Sequence, residues 1–334
     1  MKLGTVCKWI DTPEQINGIG ANDDAKRFNT RTTTVSWLNN HTDQAEQRLW
    51  ELMTHNIQSM YNLVERISQQ PIEMHLLRIG SDILPCYTEP TWSYFWQKPD
   101  VVAYMETEFM KVGDLARAHD IRLSFHPGQF VVIVSDKPHI VQRSLEELEY
   151  HAIMAKLMGY GRSKLDFKIN VHLSGRLGAD GFVTAWNQMS PELRNCLTLE
   201  NDEYQANLDA LIPLGQYCGL VLDIHHHLIH SGEYIQPKDE RIKYVIDSWQ
   251  GLKPTIHYSQ SQWQYLHPFQ DVLPTFEQLT AIYPKGKLRS HSDFYNHLPT
   301  NLWALQHLDW ANIMAESKSK NLGVKQLLNI IQNP

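Results

Sequence analysis

Apolar and polar residues alternate along the chain in two rhythms. Short apolar runs of four to eight residues read as buried strands. Longer segments with apolar residues three and four apart read as amphipathic helices. The first run is LGTVCKWI (3–10). A polar stretch follows, in which NTRTTTVSWLNN (29–40) reads as a loop facing a substrate or as the start of a helix. From Gln44 to Arg66, residues Leu49, Leu52, Met53, Ile57, Met60, Leu63 and Val64 recur at helical spacing. MHLLRIGSDILP (74–85) is the second strand, followed by a loop rich in Pro and Trp and a helical stretch to Ala118. RLSFHPGQF (122–130) is the third strand, and 139–159 is an amphipathic helix ending at Gly159, a C-cap glycine. DFKINVHLSG (166–175) and CLTLENDE (196–203) are the fourth and fifth strands, and 204–219 is a helix. LVLDIHHHLIH (220–230) supplies the sixth strand and KPTIHYSQ (253–260) the seventh. LDWANIMAESKSK (308–320) supplies the eighth, and a final helix follows.

Strand and helix thus alternate about eight times, without repeat, low-complexity tract or linker. That is the pattern of a parallel sheet covered by helices, and eight units predict an α/β (β/α)8 TIM barrel in a single domain, 1–334. A doubly wound open sheet is the alternative, but it would usually carry a Gly-rich turn after the first strand, and none is present.

A barrel of this kind places its active site at the C-terminal ends of its strands. Read in order, those ends carry Asp82, His126, His172, Glu200, Asp223 with His226, His257 and Glu316, with His291 in the loop after the seventh strand. A single histidine at a strand end is more often structural. Seven strand ends out of eight bearing carboxylates or imidazoles are not explained that way. Such a mixed N/O set without thiolate suits Zn²⁺ or Mn²⁺ better than copper or iron–sulfur chemistry, and it is too large for one ion. Two or three divalent cations are expected. Two cations bridged by a carboxylate form the arrangement used for in-line phosphoryl displacement.

Composition narrows the partners. With 20 % charged residues and a net charge of −7, the chain has no global basic field, so any nucleic-acid contact must use a local patch or a metal site. Its four cysteines, Cys7, Cys86, Cys196 and Cys218, form no CxxC pair, which argues against a disulfide framework and suits a reducing cytosol. No signal peptide or membrane-length apolar run is visible.

The motifs RIGSDILP (78–85), HPGQF (126–130), RSLEELEYHA (143–152), LTLENDE (197–203), LDIHHH (222–227) and RSHSDF (289–294) resemble the UV damage endonuclease family, a TIM-barrel family related to the endonuclease IV-like apurinic enzymes. The resemblance runs from Leu3 to about Lys320. It implies a DNA repair enzyme that nicks duplex DNA immediately 5′ of UV photoproducts, and often of abasic sites, leaving a 3′-hydroxyl. It also implies manganese as the expected ion, with zinc or magnesium as alternatives, a monomer, and a cytoplasmic, nucleoid-associated location. One ion would be held by His126, His172 and Glu200. A second would share Glu200 and add Asp223, His257 and Glu316, and a third would take His226 and His291. Glu200, Asp223, His257 and Glu316 are then the catalytic set.

Gln129-Phe130 is the expected wedge into the duplex, where the family commonly has a tyrosine. Arg78, Ser81 and Asp82, with Arg31, Lys318 and Arg289, are candidate DNA contacts, and Trp92, Tyr94, Phe95 and Trp96 either line the groove or pack a loop. One departure stands out: the family's lysine two residues before the seventh-strand histidine is replaced by Thr255, with Lys253 two positions earlier. The enzyme alternative is a metal-dependent sugar isomerase or epimerase of the xylose isomerase type, which needs neither the wedge nor the His226/His291 pair. A lesion-binding or metal-storage module is disfavoured, because clustered buried charges are destabilising without their ion.

Overall fold

A computed structural model describes residues 1–333. Eight strands form one parallel sheet: β1 (Leu3–Val6), β2 (Leu76–Ile79), β3 (Arg122–Phe125), β4 (Lys168–His172), β5 (Leu197–Glu200), β6 (Gly219–Val221), β7 (Thr255–Tyr258) and β8 (Asn312–Ala315). Their order is β6-β5-β4-β3-β2-β1-β8-β7. The two edges meet: Asp223 bridges to His257, and His257 N–H donates to the Leu222 carbonyl at 3.0 Å. The sheet is therefore a barrel whose β6–β7 junction is much the thinnest.

Side chains on each strand point alternately outward and inward. Outward residues such as Leu77, Phe125, Ile169, Leu199, Leu220, Ile256 and Ile313 join the main core against the helices. The inward set is mixed. Val6, Leu76 and Met314, inward residues of β1, β2 and β8, form a small apolar plug. Gly4 makes the plug possible, since a Cβ there would lie 2.7 Å from the Met314 sulfur and 2.8 Å from Leu76 Cγ. Elsewhere the lumen is polar and buried: Lys168, Asn170, Thr198, Glu200 and His257.

Several elements are shorter than the apolar pattern predicts. The predicted helix at 204–219 divides into Leu208–Leu211 and a 3₁₀ segment Ile212–Gln216, because Pro213 supplies no N–H for a longer helix. The sixth strand stops at Val221, and Ile224–Ser231 is a helix. The three consecutive histidines are thus helical. The helix expected over 139–159 spans Pro138–Leu157, and Gly159 follows at φ 87°. Trp92, Phe95 and Trp96 are buried in the main core, so the aromatic loop after β2 is packing; only Tyr94 is exposed. All four cysteines are free, and among the described residues no helix is long and apolar enough to cross a membrane.

Several histidines lie outside the lumen and serve packing. His151 and His307 are fully buried, and burial pushes each imidazole down to about 4. A histidine whose folded pKa is depressed is protonated first in the unfolded chain. Its stabilising contribution is therefore complete above about pH 6.5 and is lost as pH falls toward 4. Between pH 7 and pH 5 each should account for about 2 kcal/mol of lost stability. Urea unfolding at the two pH values should show a drop that is smaller in His151→Gln by about that amount; an equal drop in both proteins would contradict the assignment.

Candidate metal centre

The polar lumen opens at the C-terminal ends of the strands, and Glu200 is at its centre. This carboxylate is fully buried at the end of β5. His172 faces it in register across β4 and β5. His126 Nε2 lies 3.1 Å from Glu200 Oε2, and His257 Nδ1 lies 3.0 Å from Oε1 and 3.2 Å from Glu316 Oε1. Asn170, one inward position below His172, donates to Glu200 Oε2, and its own Oδ1 accepts from Thr198 Oγ1 at 2.8 Å. Burial opposes the charge on Glu200, yet the imidazoles of His257, His172 and His126 hold it well below the usual carboxylate range.

Asp223 is the N-cap of the Ile224–Ser231 helix. Its Oδ1 accepts from the backbone N–H of His225 at 2.8 Å and of His226 at 2.7 Å. The cap fixes which histidine faces the lumen. His226 Nε2 is 3.9 Å from Asp223 Oδ2, and its Nδ1 is 3.7 Å from Glu200 Oε1 and 3.1 Å from the Asn201 carbonyl. His225 and His227 point elsewhere; His227 Nε2 meets Glu233 at 2.9 Å. Burial raises Asp223, while Asp223, Glu200 and Glu203 more than offset burial at His226 and push it up to about 9.

Three overlapping groups of donor atoms come within 4.8 Å of one another: His126, Glu200 and His257; His172, Glu200 and His226; and Asp223, His257 and Glu316. Seven of the eight expected ligands are therefore brought together; Asp223, His257 and Glu316 keep the company expected of them at the second ion, and the remaining histidines are grouped differently. His126 joins His257 rather than His172, and His226 joins His172 and Glu200. His291 is near, with ring centroids 6.4 Å from His226, but its Nδ1 is directed to the Glu316 carbonyl at 3.1 Å. Asp223 Oδ2 and His172 Nδ1 are buried and have no hydrogen-bond partner. Unpaired buried acceptors are costly in a folded chain. With an all-N/O donor set around them, these two atoms fit a divalent cation.

Other candidate residues have clear placements. Arg78 is an inward residue of β2, and its guanidinium donates to Glu316 within the lumen. Burial works against Glu316, but Arg78, then His257, hold its carboxyl far down. Asp82 is exposed and joins no donor group, because β2 ends three residues earlier at Ile79. Ser81 Oγ donates to the His126 carbonyl at 3.2 Å. Gln129 and Phe130 are exposed in the turn after β3, with Phe130 68 % exposed. Its ring folds back over Gly128, where a Cβ would lie 2.4 Å from it.

Thr255 is buried, and a lysine from a different strand contacts His257. Lys168 comes from β4, across the lumen, and its Nζ donates to His257 Nε2 at 2.8 Å. Burial pushes this amine down to about 7. Lys253 instead donates to the Leu308 carbonyl at 2.8 Å. The sequence reading missed Lys168, Asn170 and Glu203. The available signal was two polar residues at alternate positions inside the strand KINVH (168–172), where a purely structural strand would be apolar.

A cleft of about 720 Å³ lies among the segments that follow β1 and β8. It is lined by Lys8, Lys26, Arg31, Lys318 and Lys320, and by no carboxylate. Lys318 is paired with Asp293 at 3.0 Å. The cleft is thus a local basic patch on a chain whose net charge is −7.

A family model described as UV-endonuclease UvdE matches residues 17–333. The UV DNA damage endonuclease of Bacillus cereus strain B4264 is 24 % identical over 298 residues, covering 86 % of this chain and 84 % of its own. That of Bacillus mycoides strain KBAB4 is 25 % identical over 308 residues, covering 89 % and 87 %. The crystal structure of SacUVDE superposes with a TM-score of 0.74 at 21 % identity, over 99 % of this chain and 98 % of that one. Endonuclease IV from Thermus thermophilus superposes at 0.52 and 14 % identity, over 82 % and 93 %. With eight parallel strands, a rim of converging imidazoles and carboxylates, and a family match over nearly its whole length, the chain belongs to the UV-endonuclease UvdE family of nuclease hydrolases.

Proposed function

We propose that this chain is a metal-dependent DNA repair endonuclease. It recognises cyclobutane pyrimidine dimers and 6-4 photoproducts in duplex DNA, and abasic sites as well. It hydrolyses the phosphodiester immediately 5′ of the lesion and leaves a 3′-hydroxyl. The observation that carries this reading is the convergence of donor groups on one buried carboxylate, Glu200, in a chain of the UvdE family.

His126, His172, Glu200, Asp223, His226, His257 and Glu316 would hold two divalent cations or more, with Mn²⁺ expected and His291 as a further ligand. Divalent cations in such a set supply Lewis-acid stabilisation of the charge that develops on a phosphodiester. The protein's own contribution is to hold the set rigid. Asn170 and the imidazoles orient Glu200. Arg78 fixes Glu316, and Lys168 fixes the ring of His257 from the far side of the lumen. The helix cap fixes Asp223 and with it His226.

DNA recognition draws on two further features. The basic cleft with Arg31 and Lys318 suits the phosphates of the backbone. Phe130, exposed on a turn next to the rim, suits insertion where a weakened base pair has opened. A sugar isomerase acting on a small free substrate requires neither.

Glu200→Gln should reduce nicking of a duplex carrying one defined photoproduct by roughly a thousandfold. Its circular dichroism should match that of the parent chain. An active Glu200→Gln enzyme would remove the carboxylate from its central role. In the same end-labelled assay with Mn²⁺, Mg²⁺ or Zn²⁺, product length should place the cut one phosphodiester 5′ of the lesion.

Metal analysis of the purified protein should find two or three divalent ions per chain. A content below two would defeat the multinuclear arrangement. Phe130→Ala should weaken affinity for lesion DNA by about tenfold in an anisotropy titration, from the stacking it removes. Metal content should stay constant, and unchanged lesion affinity would refute the wedge.

A further inference from the structure

Beside the donor cluster, on the side of the β5 and β7 loops, is an aromatic residue that none of the roles above uses. Tyr204 lies in the loop after β5 and is 59 % exposed. The guanidinium of Arg289, from the loop after β7, lies over its ring with Cζ 4.2 Å from the centroid. Arg289 is itself pinned: its Nε donates to Glu203 Oε1 at 2.7 Å, and its NH2 donates to the same oxygen. Glu203 Oε2 in turn lies 3.7 Å from His226 Nε2. Tyr204, Glu203 and Arg289 line one cavity of about 400 Å³ with Gln129, His172 and His226.

The loop that carries the ring is tightly tied. Asp202 Oδ1 accepts from the backbone N–H of Tyr204 at 2.7 Å, of Gln205 at 2.5 Å and of Ala206 at 3.3 Å. Asp202 N–H closes the turn on the Ala206 carbonyl at 2.9 Å. Gln205 Oε1 accepts from Gly175 N–H at 2.6 Å and so joins the β5 loop to the β4 loop. A large aromatic side chain is thus held by a rigid turn and a fixed cation yet left mostly in solvent. Simple packing would bury it.

Arg289 does not suit a phosphate here. Its charge is already matched by Glu203, and its flat face, not its donor edge, is what the ring engages. What the pair offers is a flat, polarised stack, open to the cavity that also contains His172 and His226. We propose that Tyr204 and Arg289 form a stacking platform for a nucleobase turned out of the duplex. The platform lies close enough to the donor cluster for the phosphodiester of the same nucleotide to reach it. This rests on the endonuclease reading above. Extrusion costs the base its neighbours, and stacking on an aromatic face restores part of that loss for any base, since every base has a π face.

A base stacked equally in the bound and reacting states affects binding, not turnover. On a duplex with a single cyclobutane dimer, Tyr204→Leu should therefore raise KM about tenfold and leave kcat within about twofold. Tyr204→Phe, which retains the π face and lacks the hydroxyl, should restore the parent KM. Metal content should be the same in all three proteins. With 2-aminopurine beside the lesion, the emission rise on extrusion should be quenched by the parent chain and by Tyr204→Phe, and persist with Tyr204→Leu. An unchanged KM in Tyr204→Leu, or a Tyr204→Phe enzyme as weak as Tyr204→Leu, would overturn the platform. So would loss of metal in Tyr204→Leu, which would make the loop a support for the donor cluster. If the parent chain itself does not nick the lesion duplex, the endonuclease reading fails first, visibly and separately.

Discussion

The fold is arranged around one constraint: a carboxylate, Glu200, is kept ionised where water cannot reach it. An isolated charge in such a place would cost many kcal/mol, and a protein ordinarily neutralises the group instead. Here imidazoles on three other strands, and Asn170 beneath, supply the compensation. That explains why the lumen beside the Val6–Leu76–Met314 plug is polar in depth. Glu316 needs Arg78, and His257 has Lys168 behind it. Each charge brings the next, and the barrel wall is the only element that can hold them all at once.

Much of this was legible in the sequence because a barrel converts sequence order into a ring. Strand ends far apart in the chain become neighbours at one rim, so a polar group at each end is a strong signal. Asp82 shows the limit of that logic. Three residues beyond the true end of β2 were enough to put it in solvent. The grouping of the donors was legible only in part: Asp223, His257 and Glu316 come together as expected, and the pairing of the other histidines does not follow from the sequence. It depends on which side chains meet across the lumen, and His126 of β3 meets His257 of β7, which no sheet register predicts. Lys168 and Asn170 left only a weak signal, two polar residues at alternate positions of one strand. They lie inside a strand, where alternation alone does not say whether the inward face is packed or polar.

The triple histidine illustrates how local geometry decides function. In a strand, His225 and His227 would share a face and His226 would oppose them. The structure makes a helix there, and Asp223 caps it with the same carboxylate that faces Glu200's neighbourhood. One side chain thereby sets the helix start and the direction of His226. The sequence DIHHH contains a capping residue and a candidate ligand in one letter, and only the structure separates the two roles.

The barrel's closure carries a mechanical consequence. Its seam, between β6 and β7, consists of one bridge, Asp223 to His257, and one hydrogen bond from the His257 amide. β6 is three residues long and adds little more. Asp223 and His257 also belong to one donor group with Glu316 on the far side of that seam. The two residues that close the cylinder are thus the same two that face each other as donors. A substitution at either one would loosen the joint of the barrel while it altered the donor cluster, so at this one place the fold and the site cannot be changed separately.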